Sequence, residues 1–199
     1  IRKVRDYKIS FQKLKESFPS ILCLMNNKIY DILIIGGGIS GCVFASNFRR
    51  GNSTSKLALI EAGIGLGGRS SSRISNKFNG WELNHGSPNL NILNEGNNNL
   101  LKNFIDELIK KKIIITDDSD LIKLTNKPKV DSIKNLEFFS GNNYISCDSM
   151  RKLSQNIISL NNIRNNIDFY FQTLIVEMEF NKNHWYLRSK NGEMFICKY

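Results

Sequence analysis

Residues 36–41, with the sequence GGGISG, have the spacing of a glycine loop that binds a diphosphate. The apolar run Tyr30–Ile35 comes before this loop, and a helical pattern over Ile39–Arg50 follows it. This order places the glycines between a buried strand and the start of a helix, where free backbone N–H groups and the positive end of the helix dipole attract an anion. The sequence therefore indicates the binding of a dinucleotide.

The three glycines of the G-x-G-x-x-G pattern have separate tasks. Gly36 permits the tight turn, Gly38 lets the backbone approach the diphosphate, and Gly41 lets helix and strand touch. Glu61 ends a second apolar strand, twenty residues beyond Gly41, where its carboxylate would accept hydrogen bonds from the adenosine ribose and repel a 2′-phosphate. The alternative is a glycine-rich turn with an incidental acidic residue. The binding residues predicted from this unit are Gly36, Gly37, Gly38, Ile39, Ser40, Gly41, Glu61 and Ala62.

A second glycine-rich stretch follows Glu61 directly and bears on which dinucleotide binds. It runs from Gly63 to Arg73 and contains Gly67, Gly68 and Arg69. Its glycines allow it to pass close to the same phosphates, and the planar guanidinium of Arg69 can donate to them or to a flavin edge. Simple nicotinamide-dependent dehydrogenases lack this second loop, so FAD is the expected cofactor.

Three stretches together resemble the FAD-binding start of the glutathione reductase-type and amine oxidase-type flavoproteins. They are YDILIIGGGISG at 30–41, LALIEAG at 57–63 and GLGGRSSSR at 65–73. Within that superfamily the chain is most similar to the renalase-like proteins, in which a strand leads into Asp-His-Gly. The corresponding segment here is WELNHGSP at 81–88, with Asn84 in place of the aspartate.

The resemblance implies an activity and further site residues. It places His85, Gly86 and Ser87 beside the isoalloxazine, although His85 is equally well explained as a turn histidine bonded to backbone. It implies an FAD-dependent oxidoreductase that takes a hydride from a reduced small molecule and is reoxidised by dioxygen. As the substrate we expect a dihydronicotinamide-type compound first, an amine second and a substrate of a desaturase-type reaction third. No side chain stands out as a catalytic acid or base.

The pattern of the whole chain predicts an α/β fold: a Rossmann-like FAD-binding domain with a parallel sheet, an antiparallel meander and part of an inserted substrate domain. The strand Lys56–Glu61 completes a βαβ unit, and Arg49, Arg50 and Gly51 are expected to end its helix, with the glycine just past the last turn. The later elements expected are a helix over Leu100–Lys112, a hairpin of Leu136–Phe139 with Tyr144–Cys147, a helix from Asp148 or Ser149 to Leu160, and strands Phe169–Phe180, His184–Ser189 and Glu193–Tyr199.

These elements suggest a division of the chain into an extension (1–24), the FAD-binding core (25–95), part of a substrate-side insertion (96–165) and the meander (166–199). Met25 is a natural start just before the first strand, so residues 1–24 are interpreted as upstream read-through, with a basic transit or anchoring extension as the alternative. By the resemblance, a further strand should follow Tyr199, so the chain is interpreted as truncated. A non-catalytic dinucleotide-binding fragment is the alternative function.

Composition excludes several other classes. The net charge of +10 is spread over the chain without interleaved aromatics, which argues against nucleic acid as a partner. Apolar runs are too short to span a bilayer.

The four cysteines show no metal spacing, which fits a reducing, cytoplasmic compartment, and Cys42 is expected to be a small buried residue. Only two histidines are present, so we expect no metal site.

Overall fold

The computed structural model describes residues 28–93, 98–118, 122–123, 131–132 and 141–199. The expected extension 1–24 and the hairpin arm Leu136–Phe139 lie outside the described residues. In chain order the elements are β1 Ile29–Tyr30, β2 Ile32–Ile35, α1 Ile39–Gly51, β3 Leu57–Ile60, β4 Ser72–Ser75, β5 Trp81–Asn84, β6 Leu90–Ile92, α2 Asn99–Lys110, β7 Ile114–Thr116, β8 Ile122–Lys123, β9 Asp131–Ser132, β10 Asn142–Ser146, α3 Met150–Ile158, β11 Asp168–Tyr170, β12 Ile175–Asn181, β13 His184–Ser189 and β14 Met194–Cys197.

A parallel sheet forms the centre of the fold. Its strand order is β11-β3-β2, and both pairs are parallel. The register places Ile35 of β2 and Tyr170 of β11 on either side of Ile60, so the carboxyl ends of all three strands lie at one edge. The predicted βαβ unit and its parallel sheet are confirmed, except that Tyr30 lies not in the first strand of the unit but in β1, which pairs with β14.

The middle strand of this sheet is buried on both faces because a different layer packs on each. Leu57 and Leu59 point into a core shared with the helices, and Ala58 and Ile60 point into a second core shared with the meander. All four side chains are at most 2% exposed. An uninterrupted apolar strand is the pattern that two covered faces require.

Helices α1 and α3 cover one face of the sheet. Cys42 and Ala45 of α1 pack with Leu153 and Ile157 of α3 in the first core. Cys42 is 0% exposed, which confirms its expected place as a small buried residue.

The meander β12-β13-β14 covers the other face. Its strands are antiparallel, and Leu187 and Phe195 fill the second core. The turn between β12 and β13 has positive φ at Lys182 and Asn183, as a two-residue hairpin turn requires. The strand expected over Phe169–Phe180 is wrong as one element: its first part joins the parallel sheet as β11, and the chain turns at a positive-φ Gln172 before β12 begins.

A second three-stranded sheet, which is antiparallel, lies beside the central one. Its order is β6-β10-β7, with Tyr144 opposite Leu90 on one side and Thr116 on the other. The expected strand Tyr144–Cys147 overlaps β10, which ends one residue earlier at Ser146, but the described pairing partners come from β6 and β7. The expected helices over 100–112 and 149–160 are confirmed as α2 and α3 with slightly shorter bounds. Among the described residues, no helix is long and apolar enough to cross a membrane.

The end of α1 differs from the expectation. Gly51 is the last helical residue rather than a left-handed residue past the end, and Asn52 follows with φ −140°. Arg49, in the last turn, instead holds the loop that follows the helix: its buried guanidinium donates to the carbonyl oxygens of Asn52, Ser53 and Ser55 at 2.6–3.1 Å and of Asn166 at 2.6 Å. Burial lowers the pKa of Arg49, and the carbonyls offset that cost by solvating the cation.

We expect Arg49→Leu to lower the free energy of unfolding by about 3 kcal/mol, because it leaves several partly buried carbonyl oxygens without a donor. The neighbouring Arg50→Leu is the matched control. It removes a side-chain pair with Glu107 that is partly open to water, and should cost about 1 kcal/mol or less. Urea unfolding followed by circular dichroism measures both, and equal losses would contradict the assignment.

Candidate functional site

A cleft of about 940 Å³ opens at the carboxyl end of β2. Three segments form it: the loop into α1, the second glycine loop and the segment after β5. The carboxyl edge of a parallel sheet is where α/β folds bind ligands. The lining residues are Ile35, Gly36, Gly38, Ile39, Ser40, Gly41, Gly67, Gly68, Arg69, Ser70, Ser71, Gly86 and Ser87.

The first wall is the turn from β2 into α1. Gly36 has φ +103°, a backbone conformation that side chains strongly disfavour, and its N–H donates to Ile60 O at 2.7 Å. A Cβ built on Gly41 would lie 2.1 Å from Gly36 O, whereas a Cβ on Gly38 would meet no described atom within 4 Å. Gly41 is thus required by packing, and Gly38 borders open space on the cleft side.

The second glycine loop lies directly against the first. Gly67 N–H donates to Gly37 O at 2.9 Å, and Gly67 and Gly38 form a parallel bridge. A Cβ on Gly68 would come within 3.2 Å of Gly38 Cα, and one on Gly37 within 2.5 Å of Leu66. The two loops therefore meet backbone to backbone at Gly38 and Gly67, and the Leu66 side chain of the second loop packs against Gly37.

Glu61 ties these two loops together from behind. Its Oε2 accepts the Gly37 N–H at 2.7 Å and its Oε1 accepts the Gly63 N–H at 2.6 Å. Glu61 and Ala62 do not line the cleft, and neither does the buried Gly37. Because an ionised carboxylate has about four acceptor sites, the two backbone bonds leave capacity for hydroxyl donors.

The third wall is the segment after β5, which is fastened to the Arg69–Ser71 backbone. Gly86 N–H donates to Ser71 O at 3.2 Å, and Ser87 N–H donates to Arg69 O at 2.9 Å. A Cβ on Gly86 would lie 2.0 Å from Arg69 O, so this contact requires glycine. The structure thus places Gly86 and Ser87 in the cleft with the glycine loops, while His85 is exposed and lies outside the lining.

The electrostatics of the cleft favour an anion. Among the described residues that line it, Arg69 alone carries an ionisable side chain, and the amino end of α1 opens onto the same space. Behind the first loop, burial raises the pKa of the Cys42 thiol to about 12, so Cys42 stays uncharged. The arrangement can bind and orient a negatively charged group, whereas its lining offers no acid or base near neutral pH.

Three lining residues were missed in the sequence: Ile35, Ser70 and Ser71. Ser70 is 2% exposed, and its Oγ donates to Gly67 O at 2.6 Å, which closes the four-residue turn that contains Arg69. The run of serines directly after Arg69 could have indicated Ser70 and Ser71, because small residues there let the second glycine loop pass close to the first glycine loop. No cluster of three or more potential metal ligands occurs within the described part of the chain.

Comparison with known proteins agrees with this architecture. Residues 34–108, less than half of the chain, match the NAD(P)-binding Rossmann-like domain family. No curated protein sequence matches the chain significantly. Among solved structures, a protein from Exiguobacterium sp. 255-15 described as a candidate protoporphyrinogen oxidase is similar, with a TM-score of 0.58 and 12% identity over 88% of this chain and 59% of that one.

Two further structures are similar at a TM-score of 0.49. They are a tetracycline destructase, at 16% identity over 86% of this chain and 37% of that one, and a Diels-Alderase from the biosynthetic pathway of pyrroindomycins, at 12% identity over 84% and 30%. The chain thus spans less than two thirds of the length of each of these proteins. The match and the parallel sheet together establish a mixed α/β fold with a Rossmann-like NAD(P)-binding domain.

The two glycines of the first loop should respond differently to a single methyl group. Gly41→Ala should lower the free energy of unfolding by about 3 kcal/mol or more, because its Cβ would overlap Gly36 O. Gly38→Ala should stay within about 1 kcal/mol of the parent, because φ −73° suits alanine and the space is open. Thermal unfolding without ligand measures both, and equal effects would show that α1 does not pack on the loop as described.

Proposed function

We propose that this cleft holds FAD and that the protein is an FAD-dependent oxidoreductase. The observation that carries the proposal is the backbone-to-backbone contact of two glycine loops at the amino end of α1, with Arg69 on the second loop. A single glycine loop suffices for a nicotinamide dinucleotide, so the second loop and its arginine favour a flavin dinucleotide.

The residues present fit such a group. The open side of Gly38 leaves room for a diphosphate next to the first N–H groups of α1. Arg69 supplies the one charged donor of the described lining, and the remaining acceptor sites of Glu61 suit the adenosine ribose hydroxyls. A 2′-phosphate would meet the Glu61 carboxylate, so NADP is disfavoured.

The protein's own contribution is to bind the cofactor and to orient it. Flavin, when bound, supplies the chemistry of hydride acceptance from a reduced small molecule, with reoxidation by dioxygen. Gly86 and Ser87 would line the flavin end of the cleft, and we assign no catalytic acid or base. As the substrate we propose a dihydronicotinamide-type compound first, an amine second and a substrate for desaturation third. The alternative function is a non-catalytic dinucleotide-binding fragment.

Gly38→Val should weaken FAD binding at least about 100-fold, because its isopropyl group would occupy the space beside the diphosphate. Gly51→Val is the matched control, since a Cβ at Gly51 also meets no described atom within 4 Å but lies at the far end of α1. Flavin fluorescence titration of the folded proteins measures both. Unchanged FAD affinity in Gly38→Val, or tighter binding of NAD than of FAD by the parent protein, would overturn the proposal.

Glu61→Ala should weaken both FAD and ADP by about 1.5–3 kcal/mol, since the charged hydrogen bonds to the shared ribose are lost. Glu61→Gln keeps one oxygen acceptor, so its effect should be smaller, and it should reduce the discrimination against 2′-phospho-ADP. Calorimetric titration with ADP and 2′-phospho-ADP provides the comparison. If Glu61→Ala lowers only the stability and leaves the ADP affinity unchanged, Glu61 holds the loops without contacting the ribose.

A further inference from the structure

The amino end of α3 is capped by side chains from another part of the chain. Ser149 occupies the N-cap position, but among the described residues its side chain makes no capping hydrogen bond. Instead, Met150 N–H donates to Asn84 Oδ1 at 3.3 Å, and Arg151 N–H donates to Ser72 Oγ at 3.2 Å. Two of the N–H groups that a helix start leaves free are thus satisfied by the β4–β5 hairpin.

The two capping side chains also bind each other. Ser72 and Asn84 are opposite residues at the base of the hairpin, and Ser72 Oγ donates to Asn84 Oδ1 at 2.7 Å. The Ser72 hydroxyl therefore donates once and accepts once, while the Asn84 amide oxygen accepts twice. Glu82 strengthens the same junction, because its Oε1 accepts from Arg151 Nε at 3.2 Å.

This junction lies next to two walls of the cleft. Ser72 directly follows Ser71, and Asn84 comes two residues before Gly86, so each capping residue is within two residues of the lining. The first turn of α3 also reaches the second glycine loop, since a Cβ on Gly67 would lie 3.4 Å from Arg151 O. Movement of the hairpin base would shift the segments that carry Arg69 and Ser87.

We propose that Ser72 and Asn84 are positioning residues that fix the distance between the Arg69–Ser71 and Gly86–Ser87 walls by capping α3, and so set the affinity of the cleft for its dinucleotide. The affinity part rests on the proposed function. The required chemistry is an acceptor oxygen at position 84 and a hydroxyl at position 72. Aspartate at position 84 retains the acceptor oxygen and is favourable at a helix start, whereas alanine removes it.

A double-mutant cycle tests the pair in the full chain. Ser72→Ala and Asn84→Ala should each raise the Kd for ADP about three- to tenfold, and the double variant should be little weaker than either single one, because one junction is lost in all three. Asn84→Asp should restore an affinity within about twofold of the parent. Fully additive effects, or no restoration by Asn84→Asp, would overturn the proposal.

A second side-chain pair serves as the control. Asn91 Nδ2 donates to Asn143 Oδ1 at 2.9 Å between β6 and β10, outside the cleft lining. Asn91→Ala should lower the melting temperature as much as Asn84→Ala does but leave the Kd for ADP unchanged. If Asn84→Ala lowers only the melting temperature, its role is structural and the proposal is wrong.

Hydrogen exchange without ligand separates this proposal from the proposed function. Asn84→Ala should speed exchange of the Gly86 and Ser87 amides, which bond to the Arg69–Ser71 backbone, and Asn91→Ala should not. If the parent protein binds no ADP, the proposed function fails, and faster exchange would still support the positioning role. Unchanged exchange in Asn84→Ala would overturn it.

Discussion

The close backbone contact between the two glycine loops is the constraint on which the site depends. Gly68 approaches Gly38 closely because it has no side chain, and Gly67 donates to Gly37 O from a backbone conformation, φ +136°, that favours glycine. The contact alone would leave two flexible segments side by side. Glu61 removes that freedom by accepting one N–H from each side of the junction, so one carboxylate at the end of β3 holds both loops in register.

The sheet supplies the fixed point for this arrangement. Glu61 directly follows β3, the one strand of the parallel sheet whose side chains are all buried, because helices cover one face and the meander covers the other. A strand held on both faces and paired on both edges is the most rigid place in such a fold from which to project a carboxylate. Packing of the layers is therefore transmitted to both loops through Glu61, and to the first loop also through the hydrogen bond from Gly36 N–H to Ile60 O.

The local part of this structure could be predicted from the sequence, and the long-range part could not. Strand, loop, helix and acid follow one another within 30–61, so periodicity and glycine spacing define them. The pairing of β10 with β6 and β7 joins segments far apart in the chain, and no local pattern specifies such partners. The same holds for β11: Phe169–Phe180 has the composition of one strand, but tertiary contacts divide it between two sheets. Arg49 had the expected position, yet its hydrogen bond to Asn166 O joins residues far apart in the chain and has no local signal.

Helix α1 begins at the cleft and α3 begins beside it, and their different caps explain how the site can accept a ligand. The N-cap residue of α1 is Gly38, which has no side chain to bond to the first N–H groups, so these groups remain available for an anion. The first N–H groups of α3 donate hydrogen bonds to Asn84 and Ser72, so this helix end holds the β4–β5 hairpin in place. A glycine cap keeps one helix end for binding, while side-chain caps use the other for positioning.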